Sequence, residues 1–347
     1  MENQTGTNSG TGSGKTALVT GATSGIGREL ATLFAKDGYN LVLIARSDED
    51  LIRVADSYEH QFGISVVPIQ KDLSNENAAQ EIYDETQQRG LTIDVLVNNA
   101  GVGEYGKFAS ETDLQKELNL IRTNVSSLVG LTKFYLRDMV QRNEGKILML
   151  GSIASVMPNP FMAVYGATKS FIYSFSEALR NEVKDTNVTI TVLMPGATDT
   201  DFFNKAGAMN TKAQELARET PAADVAKTGY DALMSGKDKV VHGLSNKAQV
   251  AMAHFLPDPT VANAARQQMM DKNEAEAESQ HTQSIALSIG VAALAVAGLF
   301  VLNAWNNRSP LEQAYDKARF RFKANRLKNR AQSGLEDLKE TVLNAVN

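Results

Sequence analysis

The stretch KTALVTGATSGIGRELATLFAKDG, residues 15–38, decides how the chain is read. KTALVT is a short apolar run that fits a buried strand, and the residues after the glycines carry apolar side chains at helical spacing until Gly38 stops them. Between strand and helix stand Gly21, Gly25 and Gly27, in the order Gly-x3-Gly-x-Gly. Glycines in such a turn let the backbone approach a pyrophosphate, whose charge is met by the helix N-terminus. A plain tight connection would use the same glycines, so the flanking pattern has to separate the two.

That pattern continues regularly. A second strand, NLVLIA, ends at Arg46 and Ser47, near the distance where a dinucleotide-binding sheet places the residue that reads the adenine ribose. An acid there would bind a 2′-hydroxyl; an arginine followed by a serine suits a 2′-phosphate and points to NADP, with NADPH preferred. Next come a helix over 48–61, the strand ISVVPIQ, then Lys71-Asp72-Leu73, a helix over 75–89 and the strand IDVLVNNAG. A helix over roughly 111–140 carries Asn124. Strands alternating with helices predict an α/β fold, a parallel sheet wound on both faces. Asn98, Ala100 and Gly101 then fall at a strand end, the edge where such sheets bind ligands.

The chemistry gathers further along. The run KILMLGS reads as a strand ending at Ser152, and a helix after it carries Tyr165 and Lys169. An i, i+4 pair shares one helix face. There an ammonium favours the phenolate and could draw a phenol pKa of about 10 toward the range of a general acid/base. A loop could bring the Ser152 hydroxyl to the phenol. Such a pair also occurs by chance on many helices. The helix runs to about Lys184, followed by the strand VTITVLM and Pro195-Gly196.

Composition narrows the alternatives. The 347 residues allow one large domain with an appendage, and a net charge of −5 argues against a dedicated nucleic-acid binder. There is no cysteine, and the four histidines, His60, His242, His254 and His281, lie too far apart for a local ligand motif, so no metal site is expected. Residues 1–14 read as a flexible tail without the apolar core of a secretory signal, which places the catalytic part in a cytoplasm-like compartment. The run Ser9–Thr16 is similar to a phosphate-binding P-loop, but Ser9 stands where its first glycine is needed, and the loop precedes a strand instead of following one.

Taken together, TGATSGIG at 20–27, NNAG at 98–101, Asn124, Ser152, Tyr165 with Lys169, and PGATDT at 195–200 resemble a short-chain dehydrogenase/reductase, in the family order, over residues 15–270. The resemblance implies a Rossmann-like fold, a doubly wound parallel sheet, and a Ser-Tyr-Lys-Asn catalytic set. Tyr165 would give or take the proton of the substrate oxygen while hydride passes to or from the nicotinamide. Lys169 would hold the nicotinamide ribose, Ser152 orient the substrate oxygen and Asn124 position a water. Implied cofactor contacts are Gly21, Ser24, Gly25, Ile26, Gly27, Arg46, Asp72, Leu73, Asn98, Ala100, Gly101, Tyr165, Lys169, Pro195, Gly196, Thr198 and Thr200. By the same analogy Val156, Met157, Pro158, Pro160, Phe161, Met162, Phe202 and Phe203 would line the pocket mouth, which leans toward an apolar carbonyl or alcohol substrate. Residues 201–220 read as a mobile lid, and the family suggests a homo-oligomer, dimer or tetramer. The rival reading is an NADPH-binding regulatory or scaffold protein.

Beyond residue 270 the chain leaves the family pattern. Residues 271–284 are an acidic linker, and 285–302 carry no charge and sit at the lower edge of what spans a bilayer. Residues 309–347 open on Ser309-Pro310-Leu311-Glu312, a capping box, and carry a strongly basic amphipathic helix. Two such signals suit attachment to a membrane, with the catalytic domain on its cytoplasmic face. The basic end would favour the cytoplasm too, which conflicts with a single crossing.

Overall fold

In the computed structural model, residues 10–272 are described, and all of them fall within one unit, Met1–Ala275. Seven strands form a wholly parallel sheet: β1 (Thr16–Thr20), β2 (Asn40–Ala45), β3 (Val66–Gln70), β4 (Val95–Asn98), β5 (Gly145–Leu150), β6 (Val188–Met194) and β7 (Lys239–Val241). Their order is β3-β2-β1-β4-β5-β6-β7, so the winding direction reverses between β1 and β4. A crevice opens at the carboxyl ends of the strands at such a reversal.

Period-two alternation builds the core on both faces. Ala17 and Val19 of β1, with Leu41 and Leu43 of β2, face α1 (Gly25–Lys36), α2 (Asp48–Phe62) and α9 (Ala222–Met234), where Leu30, Phe34, Leu51 and Leu233 pack. Leu18, Val42 and Ile44 face the other way. They meet α3 (Ala78–Gln88), α5 (Ser127–Arg142) and α6 (Ala163–Glu182) through Ile82, Leu131, Tyr135 and Ile172. Apolar surface covered on both faces is what parallel strands require.

Local signals set the helix ends. Ser47 caps α2 by accepting from the Asp50 N–H at 3.3 Å, and Gly63, at φ +65°, ends it. The helix expected over 111–140 is present but not α-helical throughout: α4 (Leu114–Ile121) passes into a π-helical turn, Arg122–Ser126, and on into α5. The wider turn holds Asn124, and wider turns of this kind are frequent at functional sites. A short 3-10 turn, Ile153–Val156, separates β5 from α6.

A third apolar cluster lies apart from the sheet. It joins Phe161 and Met162 to Phe203 and Ala206 of α7 (Phe202–Ala206), Ala213 and Ala217 of α8 (Lys212–Arg218), and Met269 of α11 (Asp258–Met269). The segment read as a lid therefore has its own core. It is also fastened: Thr211 bridges Asp271, the Asn210 amide donates to Asp271 at 2.9 Å, and the Tyr105 N–H donates to the Ala206 carbonyl at 3.0 Å. The remaining helix, α10 (Leu244–Ala253), lies between β7 and α11 in the chain.

Among the described residues no helix is long and apolar enough to cross a membrane, and no cluster of metal-ligating side chains occurs. The linker beyond residue 272, the uncharged run 285–302 and the basic stretch 309–347 lie outside the described residues.

Candidate active site

A cleft of about 430 Å³ opens over the β1/β4 reversal. Its floor is the glycine turn. Gly21 and Gly25 sit at φ +67° and +54°, and a Cβ on Gly27 would lie 2.3 Å from both the Asn99 Nδ2 and the Gly21 carbonyl oxygen. No larger residue fits there without moving backbone. Ser24 precedes α1 with extended backbone and makes no side-chain cap bond. The first N–H groups of α1 therefore have no cap from Ser24 and suit a diphosphate.

The threonine that ends β1 ties this floor to the next strand. Thr20 Oγ1 accepts from the N–H groups of Asn99 and Ala100, at 3.0 and 2.9 Å, and donates to the Val97 carbonyl at 3.2 Å. Asn99 in turn donates to the carbonyls of Thr20 and Gly21, at 2.8 and 3.3 Å. Asn98, which the resemblance assigned to the cofactor, is not in the cleft wall. Strand alternation turns it toward α5, where its amide donates to Thr132 Oγ1 at 3.0 Å and to Met149 Sδ at 3.4 Å. Asn99, one residue on, lines the cleft in its place.

At one end of the cleft lie Arg46 and Ser47, with Asp72 and Leu73 beside them. Arg46 is exposed, and among the described residues its guanidinium makes no ion pair. The acidic first turn of α2 does not neutralise it: the Asp50 carboxylate is held by Arg53 at 2.6 Å, which lowers its pKa. Asp72 accepts from both the N–H and the hydroxyl of Ser74, at 2.9 and 2.8 Å.

The other end carries the proton chemistry. Tyr165 lines the cleft and Lys169 lies beneath it, one turn further along α6. The Lys169 ammonium is 5.6 Å from the Tyr165 ring centroid and donates to the Leu150 carbonyl at 2.7 Å. It is 2% exposed, and burial lowers its pKa to about 8. Burial also pushes the Tyr165 phenol up to about 12, against a smaller opposing pull from the Ser152 hydroxyl. The sequence suggested a phenol drawn downward by the lysine. Burial dominates instead, and the ammonium spends its short hydrogen bond on a carbonyl.

Ser152 is held from both sides. Its hydroxyl accepts from the Ala154 N–H at 3.1 Å and donates to the Pro195 carbonyl at 3.4 Å. The Pro195–Gly196 turn thus supports the serine as well as lining the cleft. Thr198 and Thr200 line it too, and the methyl of Thr200 packs over Gly25. Asn124 is buried in the π-helical turn and makes three bonds. Its carbonyl accepts from the Val102 N–H at 2.9 Å, and its amide donates to the Val102 carbonyl at 2.9 Å and to Thr168 Oγ1 at 3.2 Å. Both donors are thereby used, so the side chain acts first as a clamp on the loop after β4. A Cβ on Gly101 would come within 3.5 Å of both Asn124 Oδ1 and Lys169 Nζ, so these two groups lie just behind the cleft wall.

The substrate side is mostly apolar. Met157, Met162, Phe202 and Phe203 line it, as expected; Val156, Pro158, Pro160 and Phe161 do not. Phe161 is taken up by the third cluster, where its ring stacks on Tyr105, and Val156 packs against the sheet core. Ala265, Gln268 and Met269 of α11 complete the wall. No motif in the sequence pointed to them, although Tyr105 fixes their position by donating to the Met269 carbonyl at 2.7 Å.

The family described as short chain dehydrogenase matches residues 15–211, more than half of the chain. The chain belongs to that family. This short-chain dehydrogenase is 34% identical over 215 residues to sulfoacetaldehyde reductase 2 of Chromohalobacter salexigens, covering 60% of this chain and 84% of that protein. It is 37% identical over 187 residues to the very-long-chain 3-oxoacyl-CoA reductase of Mus musculus, covering 52% of this chain but only 59% of that protein. Among solved structures it is similar to a short-chain dehydrogenase from Sphingobium yanoikuyae in complex with NADPH, with a TM-score of 0.62 and 27% identity over 70% of this chain and 93% of that one. The dehydrogenase is an NAD(P)-dependent oxidoreductase that transfers hydride.

Proposed function

We propose that the protein uses NADPH to reduce a carbonyl bearing an apolar group, with Tyr165 as the proton donor. The observation that carries this reading is the half-buried Tyr165 beside the buried Lys169 and Ser152, at one end of a cleft whose other end presents Arg46. A protonated phenol at this place can give its proton to a carbonyl oxygen, and burial favours the protonated form. Ser152 offers the hydroxyl that orients that oxygen, and Lys169 lies beneath the ring to stabilise the phenolate left behind. When bound, the nicotinamide supplies the hydride. The glycine turn and the start of α1 hold the diphosphate, and Arg46 with Ser47 takes the 2′-phosphate.

The apolar lining from Met157, Met162, Phe202, Phe203 and Met269 supports a substrate with an apolar substituent. The reading extends to a homo-oligomer and to residues 285–347, whose uncharged run and basic stretch hold the catalytic domain at the cytoplasmic face of a membrane. The test is NADPH consumption against aldehydes, ketones and 3-oxoacyl thioesters. Turnover of apolar ketones or 3-oxoacyl thioesters fits the reading, and tight NADPH binding without turnover of any substrate contradicts it.

A further inference from the structure

At the substrate end of the cleft lies a contact outside the family motifs. The Phe202 ring leans on the Tyr165 ring, with centroids 5.1 Å apart and planes at 50°. That is the spacing of a tilted aromatic pair. The tip of the ring meets Gly103. A Cβ there would stand 2.8 Å from Phe202 Cζ and 2.7 Å from Met162 Cε. Gly103 is not at positive φ, so the turn does not demand it. What the missing side chain provides is room for two apolar ends to meet across the mouth. Phe202 also opens α7, with its N–H donating to Thr200 Oγ1 at 3.3 Å, and it is only partly buried. The ring therefore stands on the first residue of a short helix, over the proton donor.

We propose that Phe202 sets how large a group the cleft accepts beside the reacting carbonyl, with Gly103 and Met162 as the ring's seat. The proposal rests on the carbonyl-reductase reading above. A carbonyl oxygen brought to Tyr165 carries its substituents against the Phe202 ring, which must then stack on them or give way. Ala265 and Met269 of α11 line the cleft as well, but it is the Phe202 ring that lies against Tyr165, so size differences beside the reacting carbonyl fall on Phe202. A wall of this kind discriminates by bulk and not by hydrogen bonding.

The experiment compares kcat/KM for benzophenone and for propanal, with NADPH, in the full-length protein and in Phe202→Ala and Phe202→Leu. Removing the ring should raise the benzophenone-to-propanal ratio by about tenfold or more, with the leucine variant in between. Thermal unfolding and NADPH affinity are followed in each variant to establish that the fold persists. A ratio unchanged in both folded variants overturns the proposal while leaving the carbonyl-reductase reading in place. If the unmodified protein reduces neither compound nor any other carbonyl, both fall together. Should Phe202→Ala fail to fold, the leucine variant alone decides, and a ratio equal to that of the unmodified protein is the contradicting result.

Discussion

Asn124 and Val102 are joined by a reciprocal pair of hydrogen bonds: the asparagine carbonyl accepts from the Val102 N–H and its amide donates to the Val102 carbonyl, each at 2.9 Å. The pair fixes the loop after β4 to the π-helical turn, and Lys169 Nζ lies close by, facing the same side of Gly101 as the Asn124 carbonyl. Asn124→Ala leaves two backbone groups and Thr168 without this partner, at a cost of about 1–3 kcal/mol for each group left unsatisfied. Urea denaturation should show a clear loss of stability, and NADPH should bind more weakly because Gly101 and Val102 line the cleft.

In the proposed reading, Arg46 governs the choice between the two nicotinamide cofactors. The unmodified protein should bind NADPH more tightly than NADH, and Arg46→Asp should reverse the order, because a carboxylate repels a 2′-phosphate and accepts from a 2′-hydroxyl. Fluorescence titration with each cofactor reads the effect. Equal or tighter NADH binding by the unmodified protein would remove the arginine from this role.

Gly27→Ala should abolish cofactor binding, since its methyl would lie 2.3 Å from the Gly21 carbonyl oxygen and from the Asn99 amide. Gly63→Ala provides the contrast. That glycine has φ +65° but open space around it, so alanine there should cost only about 1 kcal/mol and leave binding intact. Similar losses of binding in the two variants would mean that the cradle is less tight than the distances imply.

Lys169 gives a pH signature with a definite sign. Its native pKa is lowered from 10.5 to about 8 by burial. Through that window the unfolded chain holds a proton that the native chain has lost, so this lysine makes stability rise as pH rises; the contribution is lost as pH falls through the native pKa. Denaturation of the unmodified protein and of Lys169→Met at several pH values isolates the slope. The difference in stability between them should shift in favour of the unmodified protein from pH 8 to pH 10.5. A flat difference would place the ammonium in contact with water.

Much of this was legible because it is local. The glycine turn, the alternation that buries both faces of β1 and β2, and the Tyr165–Lys169 spacing are each properties of adjacent residues. What depended on distant partners was not. In NNAG the two asparagines look alike, and only the end of β4 decides that Asn98 turns to Thr132 while Asn99 faces the cleft. The π-helical turn widens a helix whose sequence carries no proline or glycine at that point; the bonds from Asn124 to Val102 and Thr168 come from elsewhere in the fold. The direction of the Tyr165 shift followed burial, which helical spacing does not report. The wall from α11 lies beyond the matched family stretch and carries no motif.

The most direct test of the central claim is single-turnover reduction of an apolar ketone by NADPH-loaded Tyr165→Phe, beside an NADPH titration of the same variant. The phenylalanine ring keeps the packing against Phe202 but has no proton to give. The account predicts unchanged NADPH affinity and a rate lower by about 100-fold or more, the scale of a lost general acid. A rate close to that of the unmodified protein would contradict it and assign the proton to another group.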